Sequence, residues 1–410
     1  MDRPARRRVL VVGEGATLAH FAGAAAMAAA LPGDRYEVVL ASPEVFRPWV
    51  PVGPAWAPLD VLSTREAHRR MNAGRPLYDR ATLERYVADD LRLFDRVRPE
   101  VVIGDGRLSL AASARKAGIP YIALAYAAWD PRRPWRPEPP CLPWTGRWPL
   151  PVLNVLQHVV GSAGFLWHAW PIARMLHDHG VRGVGHDIRS VWTEADIVLY
   201  ADIRALHPDV EETPRRRFAG PVAWEPPVSP PKWWDKLPRD RPVVYLTLGS
   251  SGVMRRLPVL LGAFKRLDWT VMIATAGRGL AVADGRRLFV AKYLPGAAAC
   301  ARADVVISNG GSLTTTQALT AGKPVLGVCS NVDQFLEMQA VEAAGAGLML
   351  RSDRFTVAEA EAALRRLIEP GFTQATERLR ASIRGGALTE ALGRAIADLL
   401  GGGVQASVSD

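Results

Sequence analysis

The chain has 410 residues, 49% hydrophobic and 22% charged, which excludes wholesale disorder and suits two domains better than one core. Cys141, Cys300 and Cys329 are too few and too scattered for a disulfide framework or a cysteine zinc site, and agree with a reducing, cytoplasmic setting. The formal net charge of +10 favours anionic partners such as nucleotides, acidic lipid or nucleic acid, unless it reflects only an arginine-rich composition.

In chain order, Arg6-Arg7-Arg8 and the Val/Ala-rich stretch to Leu31 have the outline of a signal peptide. Glu14 and His20 interrupt it, and 8–13 reads better as a buried strand entering a glycine turn. A helix over 20–31 ends at Pro32-Gly33, and a strand follows over 36–42. Leu83, Tyr86, Val87, Leu91 and Phe94 recur at helical spacing within 81–97. A strand over 101–104, a helix over 108–117 and a strand over 121–125 come next. The charge-free run 148–173 is long enough to cross a bilayer. Pro149, Pro151, Asn154, Gln157, His158, Ser162 and His168 interrupt it, so it reads as a buried or interfacial helix, with a spanning helix as the alternative.

Proline recurs through 220–242, which precludes a helix and suits a semi-rigid linker with the domain boundary near residue 225. Beyond it, strands are expected over 243–248, 270–274, 288–290, 304–308 and 325–328, and helices over 313–321, 358–367 and 376–383. The alternation argues for parallel α/β sheets, and no repeat suggests a solenoid. The division is 1–219, a 220–242 linker, 243–400, and a small, polar tail over 401–410 that is expected to be disordered.

The most informative stretch is Ser308-Asn309-Gly310-Gly311-Ser312-Leu313-Thr314, where a buried strand turns through glycines into a helix. Glycine lets the backbone approach a ligand, and the N–H groups and dipole of a new helix favour a diphosphate. Ser312 and Thr314 can add hydroxyls. Asp333-Gln334, after the next strand, can hold sugar hydroxyls at a strand's carboxyl end.

This set resembles the UDP-glycosyltransferase superfamily of the GT-B fold, in particular its bacterial macrolide and natural-product branch. The family motif is His-x-Gly-x-x-Ser/Thr, an acidic or amide residue at +8, Gly-x-Pro, then Asp-Gln at +24. Here Asn309 stands at the histidine position, followed by Gly311, Thr314, Gln317, Gly322-Lys323-Pro324 and Asp333-Gln334 in register. Tyr293-Leu294-Pro295-Gly296 resembles the family's Trp-x-Pro-Gln, and Thr247-Leu248-Gly249-Ser250-Ser251 its Gly-Ser loop. The resemblance implies two Rossmann-like domains facing a cleft. It implies donor diphosphate contacts from Gly249, Ser250, Ser251, Asn309, Gly310, Gly311, Ser312 and Thr314. It also implies base and ribose contacts from Tyr293 and Gln317, and sugar contacts from Asp333 and Gln334. Asn309 departs from the family: its amide can donate hydrogen bonds but cannot carry charge.

In the first half, Gly13-Glu14-Gly15 is an incomplete dinucleotide fingerprint, with Leu at position 18, so NAD binding is not expected. The resemblance implies that His20 is the general base and Asp105 the carboxylate that orients it. The competing readings are a helix-capping His20 and an N-cap Asp105. His177-Asp178-His179 with His186-Asp187 lacks the spacing of a shared helix face and reads as solvated polar residues rather than a metal site. The Arg215-Arg216-Arg217 run reads as solvated, and no zinc-finger or RNP-like pattern supports nucleic acid. No Asp-x-Asp pair occurs, so neither metal nor cofactor is expected.

Of the 13 tryptophans, Trp129, Trp135, Trp144, Trp148, Trp167, Trp170 and Trp192 crowd one segment, flanked by Arg132, Arg133, Arg136 and Arg147. They are expected either to line an apolar acceptor pocket or simply to pack the domain. The resulting expectation is an inverting, metal-independent glycosyltransferase. It would move a sugar from a UDP- or dTDP-sugar to the hydroxyl of an apolar small molecule or lipid, in the cytoplasm with peripheral contact to the inner membrane face. The alternatives are a sugar-nucleotide epimerase of the same fold and a non-catalytic helper.

Overall fold

The computed structural model describes residues 6–15, 18–135, 137–238, 240–249, 254–278 and 283–401. The first sheet contains β1 (Arg7–Gly13), β2 (Tyr36–Ser42), β3 (Ala55–Pro58), β4 (Val101–Asp105), β5 (Tyr121–Ala125), β6 (Ile197–Tyr200) and β7 (Arg216–Phe218). The second contains β8 (Val243–Thr247), β9 (Thr270–Ala274), β10 (Leu288–Ala291), β11 (Val305–Ser308), β12 (Val325–Cys329) and β13 (Gly347–Arg351). Their orders are β3-β2-β1-β4-β5-β6-β7 and β10-β9-β8-β11-β12-β13, and the named strands all pair in parallel.

Central strands such as β4 and β8 are buried throughout, because helices cover both faces of a parallel sheet. In each sheet the chain direction of winding reverses once, between β1 and β4 and between β8 and β11. Ligands in open α/β sheets bind at the carboxyl ends of strands at such a reversal. Register places Gly13 beside Asp105 in the first sheet and Thr247 beside Ser308 in the second.

Two features depart from the sequence reading. The helix Ala387–Leu400 crosses back, burying Ala391, Leu392, Ala395 and Ile396 with Val9 and Val11, and Arg217 pairs with Asp398 at 2.6 Å. The last helix therefore packs with the core of the first sheet. Of Arg215–Arg217 only Arg215 is exposed: Arg216 and Arg217 lie in β7, and Arg216 reaches Thr193 Oγ1 at 3.2 Å and the Tyr200 hydroxyl at 3.3 Å. The charge-free run forms the helix Leu150–Asp178, which is buried mainly near its end, through Ala169, Ile172, Ala173, Met175 and Leu176.

Candidate active site

His20 lies in the helix Leu18–Ala30 that follows β1, and Asp105 ends β4. His20 Nδ1 and Asp105 Oδ1 are 2.7 Å apart, with the imidazole a quarter exposed and the carboxylate buried. Neither residue serves as a cap; the next helix, Leu110–Ala117, takes Ser109 at its N-cap position. With Nδ1–H given to the carboxylate, Nε2 is the nitrogen left to accept a proton. Burial opposes the charged imidazole, but the Asp105 carboxylate outweighs it, with help from Glu14 and Asp333, and holds the His20 pKa above its ordinary value. Burial likewise raises the Asp105 carboxyl, offset in part by His20.

Two glycines leave room for this pair. A Cβ on Gly23 would lie 1.8 Å from Asp105 Oδ2, and one on Gly106 would lie 2.8 Å from the His20 ring. Gly106 also has φ +73°, a left-handed conformation that favours glycine. Behind the pair, fully buried Arg107 bonds Asp90 at 3.0 Å, approaches Glu14 at 3.4 Å and lies 3.6 Å over the Tyr86 ring. The Glu14 backbone N–H donates to the Asp105 carbonyl at 2.9 Å, so this buried network braces the ends of β1 and β4.

Across the cleft, the helix Ser312–Thr320 begins at Gly311 without any side-chain cap. Its first-turn N–H groups and positive dipole end therefore form a ready site for an anion. Asn309 Oδ1 accepts from the Gly311 N–H at 3.1 Å, and its amide nitrogen lies toward Gly249, whose added Cβ would come within 3.6 Å. Gly249 adopts φ +59°. Gly310 is different: a Cβ there would meet Cys329 Sγ at 2.5 Å, and its N–H already donates to Ser308 Oγ at 2.9 Å. Ser250 and Ser251 lie outside the described residues.

One cavity of about 310 Å³ joins the two halves and is lined by His20, Asp105, Gly249, Asn309, Gly311, Ser312, Thr314, Tyr293, Gln317, Asp333 and Gln334. Some of these groups already have partners. Gln317 Nε2 donates to the Trp224 carbonyl at 2.7 Å. Gln334 Oε1 accepts from the Ser330 N–H at 2.8 Å and from its hydroxyl at 3.0 Å, leaving the Gln334 amide as the donor it can offer. Asp333 Oδ1 accepts from the Trp129 indole at 2.9 Å. Burial raises the Asp333 carboxyl above its usual range, and the indole hydrogen bond counters this in part.

Sequence reasoning missed Trp224, Glu225 and Pro226, which make the linker a wall of the cavity rather than a mere spacer. Trp49 was also unforeseen; it meets Tyr293 edge-on at 5.7 Å and Trp224 at 6.0 Å, building an aromatic corner beside the expected base site. Of the crowded tryptophans, Trp129 and Trp192 line the cavity, stacked at 5.3 Å, and Trp135 backs Trp129 at 5.7 Å. Trp144, Trp148, Trp167 and Trp170 face outward instead. The histidine-rich segment does not converge: His179 pairs with Glu84 at 2.8 Å, whereas Asp187 caps the helix Ile188–Trp192.

Two parallel-sheet Rossmann-like units, with the His20–Asp105 pair and an uncapped helix terminus on the cavity between them, have the architecture of the GT-B fold. Residues 259–389 match the Erythromycin biosynthesis protein CIII-like C-terminal domain family. The chain is 42% identical to a PGL/p-HBAD biosynthesis glycosyltransferase of Mycobacterium tuberculosis over 376 residues, covering 91% of this chain and 88% of that one. It is 41% identical to a PGL/p-HBAD biosynthesis rhamnosyltransferase of Mycobacterium bovis, covering 91% and 84%. Its fold matches the crystal structure of the kitacinnamycin glycotransferase with a TM-score of 0.69 at 19% identity, covering 98% of this chain and 100% of that one. The chain belongs to the PGL/p-HBAD biosynthesis glycosyltransferase family. It is a glycosyltransferase, and the epimerase reading is set aside.

Proposed function

We propose that this enzyme transfers a sugar from a UDP- or dTDP-sugar to a hydroxyl of an apolar small molecule or lipid, with inversion and without a metal. The observation that carries the reading is the placement of the His20–Asp105 pair and the uncapped Ser312 helix terminus on one cavity. In this reading His20 Nε2 takes the acceptor proton as the oxygen attacks the anomeric carbon. Asp105 fixes the tautomer and stabilises the imidazolium. The negative charge that develops on the leaving diphosphate meets the helix N–H groups, Asn309, Ser312 and Thr314, donors already in place before reaction. Ser250 and Ser251 are proposed to complete that loop. Tyr293, with Trp49 and Trp224 around it, takes the base; Gln317 takes the ribose, and Asp333 and Gln334 the sugar. Trp129, Trp192 and Tyr78 give the other end of the cavity an apolar wall suited to an acceptor without charge. The work is assigned to the cytoplasm, beside the inner membrane face.

The test is nucleotide release from UDP- and dTDP-sugars in the presence of apolar phenols and alcohols, compared with free sugars. Acceptor-dependent release with apolar hydroxyls, lost in His20→Ala, is expected. Transfer to free sugars alone would overturn the acceptor assignment.

A further inference from the structure

We propose that the outward face of the helix Leu150–Asp178, with an arginine-lined cavity at its amino-terminal end, docks the enzyme on an anionic bilayer surface. Among the described residues, ten of the thirteen exposed large hydrophobic side chains fall between Trp144 and Trp170. At about 100° per residue, Val152, Val155, Val159, Leu166, Trp167 and Trp170 share an arc of roughly 120° on the helix. Val159 is 70% exposed and Val155 64%, whereas Leu153, about 100° round the helix from the centre of that arc, is 2% exposed. This reverses the ordinary surface helix, whose apolar stripe faces the core. A contiguous apolar face of this kind marks a contact surface.

Charge selects the occupant. The amino-terminal end of the helix adjoins a cavity lined by Arg147, Arg255 and Arg256, together with Asp353. The Asp353 carboxylate is already committed to Arg351 at 3.2 Å and Arg354 at 3.1 Å. Arg147 and Arg255 have no ion-pair partner among the described residues. Lipid phosphates supply the missing counter-charge, whereas a second copy of a chain with net charge +10 does not. Trp144 and Trp148 at one end, and Trp167 and Trp170 at the other, suit the headgroup boundary, where amphipathic rings settle. The carboxyl-terminal part of the helix is locked in the first domain by Ala169, Ile172, Met175 and Leu176, so the helix lies on the surface rather than crossing it.

The inner side of the same helix backs the cleft. Phe165 meets Trp135 edge-on at 5.1 Å, and Trp135 meets Trp129, a wall of the cavity, at 5.7 Å. This proposal deepens the reading of an apolar acceptor and rests on it for its purpose: an acceptor dissolved in a membrane would reach the cavity without crossing water.

The experiment is flotation of the full chain with vesicles of phosphatidylcholine alone or mixed with phosphatidylglycerol. The wild type should float with the anionic vesicles. The triple variant Val155→Ser, Val159→Ser, Trp167→Ser should lose binding by on the order of a hundredfold. Arg147→Ala with Arg255→Ala should lose roughly tenfold or more. Both should bind UDP or dTDP as the wild type does, which shows that they fold. Equal binding to both vesicle types overturns the arginine assignment, and undiminished binding of the triple variant overturns the face. Failure of the wild type to float, with dimers in sedimentation velocity that dissociate in the triple variant, would make the face a self-interface. Vesicle binding without any sugar transfer would leave docking intact and defeat the proposed reaction, so the two failures are separable.

Discussion

The proposed reaction concentrates its chemistry at one atom, His20 Nε2. His20→Ala should lower turnover by ~10²–10⁴-fold, the range for loss of a general base. Donor affinity should hold, because the donor contacts proposed above lie in the other domain; unchanged turnover would remove His20 from the mechanism. The base works as neutral imidazole, so activity rises as pH climbs through its pKa. Burial alone would lower that pKa, and Asp105 raises it above the ordinary 6.5, so the acidic limb of kcat/KM should have its midpoint above 6.5. Asp105→Asn removes the carboxylate but keeps the burial; the limb should then move to lower pH while turnover falls. A limb that stays in place would assign it to another group. On the donor side, Asn309→Ala should weaken nucleoside diphosphate binding by about 1.5–3 kcal/mol in calorimetry, the value of a hydrogen bond to a charged group. Both positions could be read from sequence, Asn309 from its place in the motif and His20 from its place in the helix after the first strand, and both line the cavity. Gly310 and Gly311 look alike in sequence, and only the structure shows that the space beside Gly310 is filled by Cys329.

At the level of elements, the dyad exists because a helix and a strand approach more closely than side chains normally permit. Gly23→Ala would put a Cβ 1.8 Å from Oδ2 of the buried Asp105 carboxylate, which must shift away from it while held by His20. The variant should fold with a stability loss of about 1–3 kcal/mol, typical of overpacking. Its turnover and the acidic limb should shift as in Asp105→Asn. A variant less stable but with an unmoved pH profile would reduce Gly23 to a packing role. No sequence pattern announces Gly23 or Gly106, because each answers to a partner more than 80 positions away or on another element. The short strands β3, β6, β7 and β13 were missed for a related reason. Their pairing, rather than a long apolar run, makes them strands, and β7 is rich in arginine. The charge-free run was read as helix correctly, but an apolar helix looks the same in sequence whether its outward face is covered or bare. The uncapped Ser312–Thr320 terminus carries a prediction of its own: with N–H groups and hydroxyls holding the diphosphate, activity should survive EDTA. Complete loss restored by magnesium would count against that site.

Taken whole, the molecule joins its two sheets through side chains that also line the reaction cavity. Glu225 from the linker accepts from the Ala297 N–H at 2.7 Å, Gln317 holds the Trp224 carbonyl, and Trp129 holds Asp333. The two-sheet plan was legible from the alternation of strands and helices, but these bridges were not, since they depend on how the domains close. The Trp129–Asp333 contact gives the sharpest consequence. The carboxylate assigned to the donor sugar is occupied at 2.9 Å by an indole from the acceptor side. Sugar hydroxyls must therefore compete with that N–H for Asp333. Trp129→Phe keeps an aromatic ring against Trp192 but removes the donor. It should tighten binding of the sugar nucleotide severalfold, up to roughly tenfold, as expected when a charge-assisted hydrogen bond no longer competes. Affinity for the bare nucleoside diphosphate should stay unchanged, because that part of the ligand does not reach Asp333. Calorimetry with the sugar nucleotide and the nucleoside diphosphate in parallel separates the cases. Equal gains for both would mean that Trp129 acts on domain closure, and no gain for either would mean that Asp333 does not hold the sugar.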